Sequence, residues 1–244
     1  LKRKFVTHEK NEVMLNPLVS VIIAVKNGER FLAEAINSIL AQDYQPFEII
    51  VVDGQSTDRT AEIAHSFEEV RYIRQVNKGV SNAYNLGIEH ATGEFVAFLS
   101  HDDVWLPNKL SLQVGYLLDH PAVQYTTAKV EFFLEPGHAC PPGFRKELLE
   151  GEYVGHIMET LVARKAVFEA VGAFNPQLST AEDVDWFARA KDQAIATAVI
   201  PKVLLRKRVH NMNTSLNTAQ NNQNLLAALK QSIERKRQNQ KAWH

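Results

Sequence analysis

Three acidic clusters hold most of the chemistry available to this sequence: Asp53-Gly54-Gln55-Ser56-Thr57-Asp58, Ser100-His101-Asp102-Asp103 and Ala181-Glu182-Asp183-Val184-Asp185-Trp186. Each admits a chemical and a plainly structural account. Adjacent carboxylates repel one another, so Asp102 and Asp103 suit a site where a cation offsets the repulsion. Hard oxygen ligands favour magnesium or manganese, either of which can bridge a diphosphate. The structural account is a solvated acidic turn ahead of Trp105-Leu106-Pro107. Asp53 follows an apolar β-branched run, and its carboxylate could accept hydrogen bonds from a base or a ribose. Equally, it could just end a strand while Ser56-Thr57-Asp58 caps a helix. Glu182 and Asp183 could supply a general base that takes a proton from a hydroxyl, or could only complement the dipole of the helix they open.

The elements that must position these clusters follow from hydrophobic periodicity. Val19–Val25 is apolar and β-branched, a strand buried on both faces as in a parallel sheet. Phe31, Leu32, Ala35, Ile36, Ile39 and Leu40 then recur at helical spacing. Further strands are expected at Phe47–Val52, Val70–Val76 and Glu94–Leu99, with helices opening near Ser56 and covering Ser81–His90 and Pro107 to about His120. This alternation predicts an α/β fold, a right-handed, mostly parallel doubly wound sheet with helices on both faces. Such sheets bind ligands beyond the carboxyl ends of their strands. Asn27, Asp53, Asn77-Lys78 and His101-Asp102-Asp103 all fall there.

After about residue 120 the rhythm changes. A long strand is expected at Val123–Leu134, a loop at Glu135–Gly143, helical patches at Gly155–Ala163, Lys165–Val171 and Val184–Lys191, and a strand at Ile195–Leu205. This half reads as an acceptor-side elaboration of one domain, with Phe132, Phe133, His138, Phe144, Tyr153 and His156 as candidate lining. The expected divisions are an N-terminal extension at 1–16, the domain at 17–215 with its halves meeting near 120, and an amphipathic basic tail at 216–244.

Bulk properties narrow the classes. Of 244 residues, 45% are hydrophobic and 23% charged, so a sizeable core can form. A net charge of −1 argues against nucleic acid as a partner. The lone Cys140 permits no intrachain disulfide and no multi-cysteine zinc site. The apolar runs fall short of the ~20 residues a membrane span needs, and LKRKFVTHEKNEV lacks a signal-peptide core. A cytoplasmic location is the default reading. The basic stretch Lys230–Arg237 could meet an anionic membrane from the inner face, or form a solvated or homodimerising helix.

Taken in order, these segments resemble the family 2 glycosyltransferases, whose fold is called GT-A. The matching stretches are Val19–Gly28, Val51–Thr60, Asn77–Ile88, Ala91-Thr92-Gly93-Glu94, Leu99–Asp103, Glu182-Asp183 and Arg208-Val209-His210, spread over about residues 17 to 215. The resemblance implies an inverting transfer of sugar from a nucleotide-diphosphate donor, UDP-linked by preference, to an acceptor hydroxyl with help from Mn2+ or Mg2+. It implies that Asp53 contacts the uracil, with Ala24, Val25 and Asn27 beside the base and Lys78 near the pyrophosphate. Asp103 would be the direct metal ligand, Asp102 would lie nearer the ribose or sugar, and His210 would approach the metal. Asp183 would be the catalytic base, with Glu182 on the acceptor side; Trp186, in the helix after it, could stack on a sugar ring or equally serve as a core tryptophan. The acceptor could be a glycan, a lipid-linked sugar or a small molecule. Two departures stand out: His101 occupies the first position of the usual Asp-x-Asp metal motif, and Lys26 stands where an aromatic residue is common.

Other classes fare worse. The sequence has neither the glycine pattern of a dinucleotide fold nor a P-loop. A nucleotidyltransferase of related fold would need more than Lys26-Asn27-Gly28 as its phosphate loop. A non-catalytic nucleotide-sugar-binding module would have little use for Asp53, Asp102, Asp103, Asp183 and His210 together.

Overall fold

Strand β1, Val19–Val25, fixes the architecture because its side chains divide between two apolar layers with period two. The computed structural model describes residues 16–241 apart from 179, 214, 215 and 217. The expected N-terminal extension therefore lies almost wholly outside the described residues. Val19, Val21, Ile23 and Val25 pack against Leu32, Ala35, Ile36 and Ile39 of helix α1 (Leu32–Leu40) and against Leu110, Val114 and Leu117 of α4 (Lys109–Asp119). Ile22 faces the opposite layer, with Ala83 and Tyr84 of α3 (Val80–His90). There the helix comes so near that a Cβ on Gly87 would lie 2.5 Å from Ile22 Cγ2. Full burial of each such aliphatic side chain contributes about 1.5–3 kcal/mol, so the alternation of β1 holds both layers.

The first half is parallel, in the order β3 (Val70–Arg74), β2 (Phe47–Asp53), β1, β4 (Phe95–Ser100), with α2 (Thr60–His65) between β2 and β3. The sheet continues beyond β4 through β8 (Val162–Arg164), β6 (Tyr125–Leu134), β9 (Thr197–Val209) and the two-residue β5 (Val104–Trp105). β8 is antiparallel to both β4 and β6, β9 is parallel to β6, and β7 (Glu152–Gly155) pairs with β6 off the main path. The architecture is the mixed α/β one expected from the sequence, and both halves of the chain share one sheet.

Gly155–Ala163 differs from expectation. It holds the end of β7, a single 3-10 turn at Met158–Thr160 and the start of β8, not a helical patch. Ile157, Met158, Leu161 and Val162 recur at helical spacing, but sheet pairing overrides that pattern, with Val162 and Ala163 across from Ala97 and Val96. β9 also runs four residues past its expected end, and this places Arg206 to Val209 beside the turn after β4. Helices α5 (Val167–Val171), α6 (Glu182–Asp192) and α7 (Thr218–Lys241) complete the chain, α7 being longer than its amphipathic stretch suggests. Among the described residues no helix is long and apolar enough to cross a membrane.

Candidate active site

The turn after β4 and the end of β9 together build a buried ionic centre. β5 pairs with β9, Val104 opposite Arg206 and Trp105 opposite Leu205, and so fixes the two segments in register. Strand alternation then sends Lys207 and Arg208 to opposite sides. Lys207 Nζ donates to Asp103 Oδ2 at 2.7 Å and to Glu159 Oε1 at 3.0 Å. The Arg208 backbone N–H donates to Asp103 Oδ1 at 2.9 Å. Its guanidinium donates to the Asp102 carbonyl, pairs with Glu34 and Glu135, and lies between the rings of Phe31 and Phe133, each centroid 4.6 Å away.

The two adjacent carboxylates therefore differ. Asp103 is 1% exposed and both of its oxygens are taken by internal donors. Burial pushes its carboxyl upward and the Lys207 charge opposes that push. Among the described residues Asp102 is met at Oδ2, by His210 Nε2 at 3.0 Å and Asn213 Nδ2 at 3.4 Å. Burial would raise its carboxyl, but the His210 hydrogen bond and the nearby His101 and Lys207 charges hold it well below the ordinary range. His210 Nδ1 accepts from the Met212 N–H at 3.2 Å, which leaves Nε2 as the nitrogen facing Asp102. Asp103, expected as the direct metal ligand, meets Lys207 and the Arg208 N–H with its two oxygens. Its oxygens hold β9 in place, and Asp102 is the carboxylate turned to His210.

Asp102 and His210 could offer one hard oxygen and one imidazole to manganese or magnesium. Among the described residues no three His, Cys, Asp or Glu side chains converge on a point.

Glu159 and Lys207 were not singled out from the sequence. Lys207 lies in a run of three basic residues, and only the strand register shows that it turns inward. Glu159 is the sole charge in Ile157-Met158-Glu159-Thr160-Leu161, a signal that could have marked it. It accepts from Ser100 Oγ at 2.5 Å, and its carbonyl accepts from Trp105 Nε1 at 3.0 Å. Burial works against the charge on Lys207, but Asp103, Glu159 and Asp102 outweigh it and hold the ammonium well above the usual lysine range.

Glu182 and Asp183 open α6 directly after Ala181, a non-glycine residue in the left-handed region at φ 66°. Asp183 is pushed up to about 6 by burial and by the Glu159 charge, with Lys207 opposing. Glu182 is pushed up to about 8 by burial and by Asp183. Both carboxyls thus feel the Glu159–Lys207 pair, which also neighbours Asp103 and Asp102. The Lys207 charge is felt by Asp102, Asp103, Glu182 and Asp183 alike, and His210 joins this group through its hydrogen bond to Asp102.

Asp53 belongs to a separate network. It is 1% exposed; Oδ1 accepts from Ser56 N and Oγ, and Oδ2 accepts from Tyr72 OH at 2.6 Å. Burial and this bond push the Tyr72 phenol up to about 12. Asn27, left-handed at φ 53°, ties the first loop to the second by donating to Ser56 Oγ and accepting from Thr57 N. Asp58 caps α2 by accepting from Thr60 N. The end of β1 joins the two networks, Ala24 lying opposite Ser100 and Val25 opposite Asp53. Lys78 is exposed in the loop before α3.

On the expected acceptor side, Trp186 is corrected. It is fully buried among Tyr125, Phe168, Phe174 and Phe187, because helical spacing turns it inward from the first turn of α6. Phe132 packs with Phe144 and Tyr153, and Phe133 underlies Arg206 and Arg208. His138 contacts Arg30, and the exposed His156 lies beside Phe187.

Comparison with known proteins bears on the family and the fold. The sequence profile of Glycosyl transferase family 2 matches residues 20–165. An uncharacterized glycosyltransferase of Rickettsia typhi is 34% identical over 220 residues, 84% of this chain and 68% of that protein. Among solved structures, the mannosyltransferase PcManGT of Pyrobaculum calidifontis, in complex with GDP-Man and Mn2+, superposes with a TM-score of 0.69 at 21% identity, over 91% of this chain and 65% of that one. TarS of S. aureus in complex with UDP-GlcNAc gives 0.63 at 23% identity, over 79% and 59%. At these identities the two structures share the fold with this chain.

Proposed function

This chain is a member of glycosyl transferase family 2, and from that premise we propose that it moves a sugar from a nucleotide-diphosphate donor to an acceptor hydroxyl with inversion. The observation that carries the reading is the pairing of Asp102 with His210 in the same electrostatic neighbourhood as Asp183. The complexes of PcManGT with GDP-Man and TarS with UDP-GlcNAc support a nucleotide sugar as the donor class.

In this reading Asp102 and His210 hold a divalent cation, which when bound offsets the negative charge gathering on the leaving diphosphate. Asp183, with its carboxyl near 6, is ionised at neutral pH and accepts the acceptor hydroxyl's proton. The acceptor oxygen bonds to the anomeric carbon as the bond from that carbon to the diphosphate breaks, its electron pair leaving with the phosphate. A base opposite the leaving group gives inversion. Glu182, near 8, stays protonated at neutral pH and can donate a hydrogen bond to the acceptor. Asp103 and Glu159 fix Lys207, whose side chain is 21% exposed and brings positive charge to the diphosphate side.

The Asp53–Ser56–Tyr72 network orders the loop at the nucleoside end, where Ala24, Val25 and Asn27 form the floor, and the exposed Lys78 reaches toward the pyrophosphate. The test is a panel of UDP- and GDP-sugars assayed for donor hydrolysis with and without Mn2+. Metal-stimulated release of the nucleoside diphosphate from one donor supports the proposal. Hydrolysis of none, or hydrolysis indifferent to metal, removes the donor or the cation from it.

A further inference from the structure

Helix α7 has two faces with different fates. Asn224, Ala228, Ser232 and Arg235 turn toward α6. Asn224 donates to Thr180, Ser232 donates to Asp192, and Arg235 pairs with Asp185 and Asp192. On the other side Leu226, Leu229 and Ile233, at spacings of three and four, are 58%, 56% and 51% exposed. They form one apolar stripe on a helix already anchored along its opposite face. Exposed cations flank the stripe, Lys230 and Arg237 on one side with Glu234 between them in sequence, and Lys236 on the other, where it also pairs with Asp192 at 3.4 Å. The whole chain, by contrast, has a net charge of −1.

We propose that this face of α7 docks on an anionic lipid surface, the helix lying in the plane of the headgroups with Leu226, Leu229 and Ile233 inserted and Lys230 and Arg237 against the lipid phosphates. An apolar stripe bordered by cations is the pattern that seats an amphipathic helix at an interface, and juxtaposed lysines and arginines draw such a helix to negative headgroups. A second copy of the chain fits less well. A twofold contact along the stripe would set Lys230 and Arg237 of one copy close to their equivalents in the other, with a single glutamate to offset them. The proposal rests on α7 alone, independent of the catalytic roles above.

The test is flotation of the full chain with vesicles of phosphatidylcholine, and of phosphatidylcholine mixed with phosphatidylglycerol. The chain should float with the anionic vesicles, remain behind with the neutral ones, and release at high salt. Two variants probe the two contributions, Leu226→Gln/Leu229→Gln/Ile233→Gln and Lys230→Gln/Arg237→Gln. Glutamine keeps helix propensity at exposed positions, and a thermal melt matching the parent verifies the fold. Each variant should lose at least about tenfold in partitioning. Absence of flotation, or flotation unaltered in both variants, overturns the proposal. So does self-association that the triple variant abolishes without any vesicle binding, since the stripe would then join copies of the chain. Donor hydrolysis, measured in parallel, reports on the catalytic reading separately.

Discussion

Asp102 and His210 are 108 residues apart in the chain and 3.0 Å apart in the fold. What closes that gap is the neighbouring pair. Asp103 accepts from Lys207 and from the Arg208 backbone, locking the end of β9 against the turn after β4. One carboxylate of the Asp-Asp step is bound to the end of β9 and the other to His210.

This division of labour predicts different phenotypes for neighbouring substitutions. Asp102→Asn should lose stability at neutral pH, because the fold favours the ionised carboxylate, and should weaken Mn2+ activation by about 10–100-fold, read as the metal concentration for half-maximal donor hydrolysis. Asp103→Asn should lower the melting temperature and leave metal activation closer to the parent in whatever fraction folds. The reverse pattern would return the ligand role to Asp103.

Removing the buried cation should be costly. Lys207→Met leaves Asp103 and Glu159 without their partner, and breaking a buried pair costs roughly 3–5 kcal/mol. Adding Glu159→Gln to Lys207→Met should recover part of that loss, because one stranded charge is then gone. Denaturant unfolding of the two single variants and the double variant checks the sign of this coupling. Strict additivity would mean that the 3.0 Å contact has no energetic consequence.

Asp183→Asn should reduce kcat by about 10²–10⁴-fold, the range of a general base, while calorimetry finds the donor nucleotide bound with Kd changed by less than about threefold. Turnover comparable to the parent would take Asp183 out of the mechanism.

The pH dependence follows from two raised carboxyls. Asp183 must be ionised to act, so kcat/KM should climb with pH through about 6, and the limb should vanish in Asp183→Asn. Stability should run the other way. Between its ordinary value of 4.5 and about 8, folded Glu182 keeps a proton that the unfolded chain has released. The native state then binds more protons, and stability falls as pH rises through that window. Glu182→Gln removes the penalty and should raise the melting temperature above pH 8, by about 2–4 °C for each ~1 kcal/mol released. An equal gain at pH 4 would point to packing and not to charge.

Trp186 is expected to matter for folding and not for the acceptor. Trp186→Ala should cost about 3–5 kcal/mol, whereas Trp186→Phe should leave KM for any acceptor unchanged. A selective rise in acceptor KM for the phenylalanine variant would restore the stacking role.

The parallel half of the fold was legible in the sequence, because buried parallel strands and amphipathic helices advertise themselves through local period. Val19–Val25, the α1 face and the strand ends carrying Asp53 and Asp102 were all legible that way. The sequence also supplied the ordered motifs that resemble the family. Tertiary structure alone decided which carboxylate of an adjacent pair is consumed. That choice depends on Lys207 and Arg208 arriving from the far end of the chain on a strand whose register is set by β5 and β6. Trp186 and Glu159 differ for a related reason. Helix phase and the closing of β8 onto β4 determine whether a side chain meets core or site, and neither is written in the few residues around it. Local period reports which face of an element is apolar, while the partner that face meets is settled only when segments distant in sequence pack together.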